Sequence, residues 1–105
     1  MLRKKARFLK VLGDETKLKI LQSLLDEEVC SCHFIRITGR AQSTVSTHLR
    51  DLEREGILQS RRQGRNIFYR ISDPRVYALF TLLGITRRKK TSARNRWDNV
   101  KKRIL

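Results

Sequence analysis

The chain has 105 residues, with 25 Lys or Arg against 10 Asp or Glu, so its formal net charge is +15. This length allows one domain, and a hydrophobic fraction of 39% is enough for one modest core, which argues against a disordered chain. The charge excess favours a polyanionic partner, either nucleic acid or an anionic membrane surface, and no apolar run approaches the roughly 18 residues of a membrane span.

The first two predicted elements are helices. Residues 2–12 place apolar side chains at helical spacing, and residues 1–10 add five basic side chains and no acid, a local charge of +5. Gly13 ends this helix, and Asp14 is a typical N-cap for a second helix that runs to about Asp26. Its leucine and isoleucine stripe predicts the main core helix.

The next segment predicts a helix-turn-helix. Residues 27–32 are short and partly β-like, and they lead into a brief helix over residues 33–38. Gly39 supplies a tight turn, and a further helix runs over residues 42–55, with Gly56 at the position where glycine commonly ends a helix. Two helices joined by a short glycine-containing turn are typical of DNA-binding helix-turn-helix motifs.

The second helix of this pair has two different faces. Val45, Leu49 and Leu52 share an inward face, whereas the opposite face carries small hydroxyls and one arginine, namely Ser43, Ser46, Thr47 and Arg50. Such a face suits entry into a major groove and contact with base edges. A plain amphipathic surface helix has the same pattern, so the interpretation also depends on the turn before the helix and the hairpin after it.

After Gly56 the apolar period changes to two. Residues 57–62 and 67–71 are predicted strands, and residues 63–66 form the basic tip of a β-hairpin. Its arginines are either a solvated strand end or, in the interpretation we favour, a wing that lies along the phosphate backbone. The candidate DNA-contacting set is therefore Gln42, Ser43, Thr44, Ser46, Thr47, His48, Arg50, Arg61, Arg62 and Arg65. Within it, His48 lies at the edge of the buried face and is either a packing or a phosphate-contacting residue.

A final core helix and a basic tail complete the chain. Ser72 or Asp73 caps the helix, with Pro74 at its permissive first position. The helix is too apolar for the surface of one small monomer, which predicts a dimer interface. Residues 86–105 hold nine bases and one acid, a local charge of +8. We expect a DNA-binding domain over residues 1–86 and a basic tail over 87–105, in which an apolar stripe that includes Trp97 predicts a helix.

Four stretches together resemble one protein family. They are LGDETKLKIL at 12–21, EVCSC at 28–32, QSTVSTHL at 42–49 and GRNIFYR at 64–70. In this order and spacing they are similar to the opening, metal-box, recognition-helix and wing motifs of the ArsR/SmtB repressors, without gaps over about residues 8–83. The resemblance implies a mainly α winged helix-turn-helix with a β-hairpin wing, which dimerises through its terminal helices and binds double-stranded DNA. Many members of that family release their operator on binding metal or metalloid ions.

The chain departs from the family pattern at several positions. Ala41 stands where the family usually has Ser, so the recognition helix loses its expected N-cap. The paired His and acidic residues of the family's interhelical zinc site are missing, since no His follows His48. We therefore do not expect a zinc sensor of that type, and the basic tail lies outside the resemblance.

Cys30 and Cys32 are the candidate metal ligands, with His33 as a third. Two thiols one residue apart can converge if the segment is extended or a loop, but not within a regular helix. Thiolates select thiophilic ions, and the resemblance points to As(III), Cd or Hg. A reversible thiol redox switch and a pair of structural cysteines without a sensing role remain as alternatives.

The sequence thus predicts a homodimeric transcriptional repressor. The alternatives are a low-specificity architectural DNA-binding protein and a membrane-surface protein anchored by the tail. An enzyme is not expected, because no carboxylate pair, activated nucleophile or glycine-rich phosphate loop is present. Two closely spaced cysteines are no disulfide framework, and no signal peptide is visible, so we expect a reducing cytoplasm.

Overall fold

The computed structural model describes residues 1–87 and contains five helices, three strands and one 3₁₀ turn over Ser31–His33. The helices are α1 (Leu2–Leu12), α2 (Glu15–Ser23), α3 (Phe34–Thr38), α4 (Gln42–Arg54) and α5 (Pro74–Leu83), and the strands are β1 (Val29–Cys30), β2 (Leu58–Gln63) and β3 (Asn66–Ile71). No helix in this part of the chain has the length and hydropathy needed to span a bilayer. The predicted tail helix with Trp97 lies outside the described residues.

Two aspartates begin helices as the sequence predicts. The side chain of Asp14 accepts a hydrogen bond of 2.9 Å from the backbone N–H of Lys17, and Asp73 accepts one from Arg75 at the start of α5. Ala41 precedes α4 without any side-chain cap, as expected. Gly39 follows α3 with φ 69°, a left-handed conformation that lets the chain turn sharply into α4.

Helix α2 ends three residues earlier than predicted. The hydroxyl of Ser23 donates to the carbonyl of Ile20 at 2.6 Å, and the N–H of Leu24 instead donates to Leu21, one residue closer. A side chain that bonds the carbonyl of its own helix competes with the helical ladder. The chain therefore turns at Leu24, which is buried, and leads into β1.

The core lies between the helices and one face of the wing. Four of the five helices, all except α1, contribute fully buried side chains. The fully buried residues are Ile20, Leu21, Leu24, Phe34, Leu52, Ile57, Val76 and Phe80, of which Leu24 and Ile57 lie just after a helix. The predicted inward face of α4 is buried throughout. An ion pair of 3.2 Å between Lys17, which is buried, and Asp51, which is half-buried, also joins α2 to α4.

The wing is a three-stranded antiparallel sheet in the order β1-β3-β2. The hairpin is tighter than predicted, because Gln63 pairs with Asn66 and only two residues form the turn. Gly64 takes the first of these positions with φ 64°, which suits a glycine. The third strand, β1, pairs Val29 with Tyr69 and Cys30 with Phe68, so the segment that carries the cysteines is part of the wing sheet.

Candidate nucleic-acid interface and thiol pair

The outer face of α4 is solvent-exposed along its length. Gln42, Ser43, Ser46, Thr47 and Arg50 are all exposed, and Thr44 is half-buried. The hydroxyl of Thr47 donates to the backbone carbonyl of Ser43 at 3.0 Å. Arg50 has no ion-pair partner among residues 1–87, so its guanidinium is available to an external acceptor. The face is narrow and polar, with short side chains and one long cation.

His48 lies on a different side of α4. Its side chain is only 16% exposed, and Nε2 lies 3.8 Å from a carboxylate oxygen of Asp14 at the start of α2. The other ring nitrogen, Nδ1, is buried without a hydrogen-bond partner in the described part of the chain. Of the two interpretations of His48, this position fits packing between α4 and α2 better than contact with phosphate.

The three arginines of the wing differ in their surroundings. Arg62 and Arg65 are exposed and have no ion-pair partner within residues 1–87. Arg61 instead makes a two-pronged ion pair with Glu28, from Nη2 to Oε1 at 2.7 Å and from Nε to Oε2 at 2.9 Å. This contact holds the pKa of the Glu28 carboxyl below its usual value. Glu28 is the first residue of the EVCSC stretch, two positions before the first cysteine, but no local sequence signal indicates its contact with Arg61.

The two thiols converge, as an extended segment predicts. Cys30 ends β1 and is buried, Cys32 lies in the 3₁₀ turn and is exposed, and their Sγ atoms are 2.7 Å apart. The Cys32 thiol donates to the Cys30 sulfur, which also accepts from the backbone N–H of Cys32. These bonds lower the pKa of Cys30 and raise the pKa of Cys32. Cys30 is therefore the first of the pair to form the thiolate that binds soft ions.

His33 does not join the thiols in a three-ligand cluster. Its Nδ1 lies 3.1 Å from a guanidinium nitrogen of Arg36 instead. In the part of the chain that the structure describes, no three His, Cys, Asp or Glu side chains converge closely enough to hold a metal ion. The chain supplies two soft donors, and a tetrahedral ion would need ligands from elsewhere.

The two cysteines border different cavities. Cys30 lines one of about 460 Å³ together with Glu28, His33 and Phe68. Cys32 lines another of about 520 Å³, between the outer part of α4 and the wing, whose lining includes Ser46 and Arg50. The thiol pair thus lies between two cavities, one of which also borders the candidate DNA-reading face.

Exposed apolar side chains concentrate on the terminal helices. The largest exposed fractions in α5 are those of Leu82 and Leu83, 81% and 60%, and α1 exposes Leu2 and Leu9. Only Val76 and Phe80 of α5 are buried. This apolar surface has no cover within residues 1–87.

Comparisons with known proteins identify relatives. A family profile described as "Bacterial regulatory protein, arsR family" matches residues 14–60. The "Probable mercury resistance operon repressor" of Streptomyces lividans is 40% identical over 77 residues, or 73% of this chain and 62% of that protein. The cadmium resistance transcriptional regulatory protein CadC of Listeria innocua is 34% identical over 71% of this chain and 64% of its own length. The chain therefore spans less than two thirds of these two curated relatives.

A solved structure gives the same result at the level of the fold. The homodimeric winged helix-turn-helix DNA-binding domain of a "possible ArsR-family transcriptional regulator" from Mycobacterium bovis superposes with a TM-score of 0.71 and 32% identity. The match covers 80% of this chain and 78% of that one. The arrangement of α3, α4 and the wing described above is therefore that of a winged helix-turn-helix.

Proposed function

Because this chain belongs to the arsR family of bacterial regulatory proteins, we propose that it is a homodimeric, sequence-specific transcriptional repressor. The observation that carries the proposal is the exposed outer face of α4, which presents Ser46, Thr47 and the unpaired Arg50 beside the arginine-bearing wing. The relatives are transcriptional regulators rather than enzymes, which agrees with the lack of catalytic motifs in the sequence.

In this proposal each part of the interface has one task. Small hydroxyls and Arg50 read base edges in the major groove, where an arginine pairs well with guanine. Arg62 and Arg65 contact phosphates, which adds affinity without sequence information. Gln42, Ser43 and Thr44 lie in the first turn of α4, the part of a recognition helix that meets the DNA first. Residues 1–86 form the DNA-binding domain, and the basic tail over 87–105 adds affinity through its charge.

A titration of DNA from upstream of the chain's own gene tests the proposal, with random duplex as competitor. Replacing Arg50→Ala removes one bidentate base contact per half-site, so we expect a loss of about 1–3 kcal/mol per contact in specific binding and little change on random duplex. Lys19→Ala is the matched control, because Lys19 lies about 200° around α2 from Lys17, the residue that faces α4. Equal affinity for operator and random duplex would instead favour the architectural alternative.

Two copies are needed to read the two half-sites of such an operator. The apolar side chains exposed on α1 and α5 favour a dimer through the terminal helices. The Mycobacterium bovis domain that superposes on this chain is described as homodimeric. Sedimentation equilibrium measures the association directly, and a monomer at micromolar concentration with full operator affinity would contradict the proposal.

We propose further that a thiophilic ion at the thiol pair releases the DNA. Support comes from the 2.7 Å approach of the Cys30 and Cys32 sulfurs and from relatives named for mercury and cadmium resistance. The ion supplies a soft Lewis acid, while the chain supplies two thiolates and loses their protons. A tetrahedral ion would need further ligands, which His33, after leaving Arg36, or the partner subunit would supply. Operator affinity is measured with arsenite, Cd(II), Hg(II) or Zn(II), in the wild type and in a Cys30→Ser, Cys32→Ser variant.

The same sulfur contact favours a second candidate, a thiol redox switch. An added oxidant would accept two electrons and two protons from the thiols, and one S–S bond would form. In that case a mild oxidant releases the DNA, dithiothreitol restores binding, and metal ions have no effect. If neither ions nor oxidant change the operator affinity of the wild type or of the double serine variant, the cysteines are structural. The protein would then be a repressor without a thiol sensor.

A further inference from the structure

The wing and the thiol-bearing strand share one row of side chains. Cys30 of β1 is opposite Phe68 of β3, and Phe68 is opposite Arg61 of β2. Residues directly opposite each other in an antiparallel sheet project from the same face. The guanidinium of Arg61 lies 4.9 Å from the centre of the Phe68 ring, so the arginine lies across this row toward β1.

All three nitrogens of this guanidinium already have partners. Nε and Nη2 bind the Glu28 carboxylate, and Nη1 donates to Oε1 of Gln63 at 2.9 Å. A guanidinium offers its best bidentate geometry to one planar anion at a time, and here a carboxylate occupies it. The arginine is always charged, and the Glu28 carboxylate neutralises that charge locally.

We propose that Glu28 is a positioning residue that withholds Arg61 from the DNA backbone. Arg62 and Arg65 contact phosphate in the resting state, whereas Arg61 does so only when the segment before β1 moves Glu28 away. Because Glu28 lies two residues from Cys30, the position of the thiol-bearing strand sets how many phosphates the wing contacts. The inference rests on the proposed DNA binding, but it concerns the number of contacts and not their existence.

The salt dependence of binding counts those contacts. The slope of log K against log salt changes by about −0.9 for each phosphate neutralised. The Glu28→Gln variant releases one arginine in each protomer, so we expect a slope steeper by about 1.8 for the dimer and tighter binding at low salt. The Glu28→Gln, Arg61→Gln variant replaces a neutral ion pair with two neutral amides. Its slope is expected to equal that of the wild type.

A Glu27→Gln variant is the matched control, because it removes an equal charge one residue away and leaves Glu28 and Gln63 in contact with Arg61. We expect its slope to stay within about 0.5 of the wild type on the same scale. The pair is exposed, and thermal melting followed by circular dichroism verifies that each variant folds.

Three outcomes overturn the inference. Equal slopes for Glu28→Gln and the wild type mean that Arg61 finds no phosphate when released. A double variant shallower than the wild type by about 1.8 means that Arg61 already contacts phosphate beside Glu28. A steeper slope for Glu27→Gln as well means that local charge alone is responsible. If the wild type binds no DNA at all, the proposed function fails first, and that result is distinct from these three.

Discussion

Replacing the two most exposed leucines of α5 should separate the proposed dimer without unfolding the monomer. Leu82 and Leu83 are 81% and 60% exposed, so neither contributes much to the core of its own chain. Full burial of a leucine side chain stabilises by about 1.5–3 kcal/mol. If the dimer buries the exposed fractions of both leucines on both protomers completely, this burial stabilises the dimer by roughly 6 kcal/mol. A Leu82→Gln, Leu83→Gln variant should therefore weaken the dimer by about four orders of magnitude in dissociation constant.

Sedimentation equilibrium over a range of concentrations measures this change, and circular dichroism measures the fold of the monomer. Ile35→Gln is a matched control, because Ile35 is an exposed apolar residue of α3, at 42%, outside the terminal helices. We expect that control to keep the wild-type dissociation constant. A change smaller than tenfold in the double variant would refute the reasoning, since it would mean that these side chains remain in solvent in the dimer.

Three further predictions concern the thiol that faces α4 and the cap of α5. Cys32 shares a cavity with Arg50. In a Cys30→Ser variant, operator DNA should therefore slow the alkylation of Cys32 by a maleimide at least tenfold. Equal rates with and without DNA would place Cys32 outside the interface. Asp73→Ala should lower the free energy of unfolding by about 1–2 kcal/mol in urea titrations, since it removes a 2.9 Å cap bond, whereas Asp73→Asn keeps a capping side chain and should cost less. The ion pair with Arg75 lowers the pKa of Asp73 in the folded protein, so as the pH falls the Asp73 carboxylate of the unfolded chain takes up a proton first. The free energy of unfolding of the wild type should therefore fall with acid more steeply than that of Asp73→Asn. An equal pH dependence for the two proteins would contradict this prediction.

Features that depend on neighbours in sequence were predictable. The N-cap at Asp14, the glycine after α3 and the buried face of α4 all follow from signals within a few residues, and each is confirmed. The end of α2 was misplaced because the hydroxyl of Ser23 turns back on its own helix, a choice that apolar periodicity does not report. Local patterns therefore predicted most helices and strands, and misplaced the end of α2.

Features that depend on distant pairing were not predictable from a single sequence. Residues 27–32 were expected to be partly β-like, but their place in the wing sheet depends on the pairing of Val29 with Tyr69, forty positions later. The Glu28–Arg61 contact likewise joins residues 33 positions apart, so no local pattern separates Arg61 from the other two wing arginines. The candidate site was thus predicted by residue type and position, while the contacts that make its members unequal required the structure.

The formal charge of +15 overstates how many cations can meet DNA. Within residues 1–87, Lys17, Arg61, Arg75 and Arg87 each have a carboxylate partner within 3.2 Å. A cation that stays bound to a carboxylate neutralises no phosphate, so it adds little to the salt dependence of binding. That dependence should therefore follow the number of unpaired cations at the interface, with the basic tail as a separate contribution that truncation after residue 86 would remove. Sequence discrimination should survive the truncation, because the residues proposed to read bases all lie on α4.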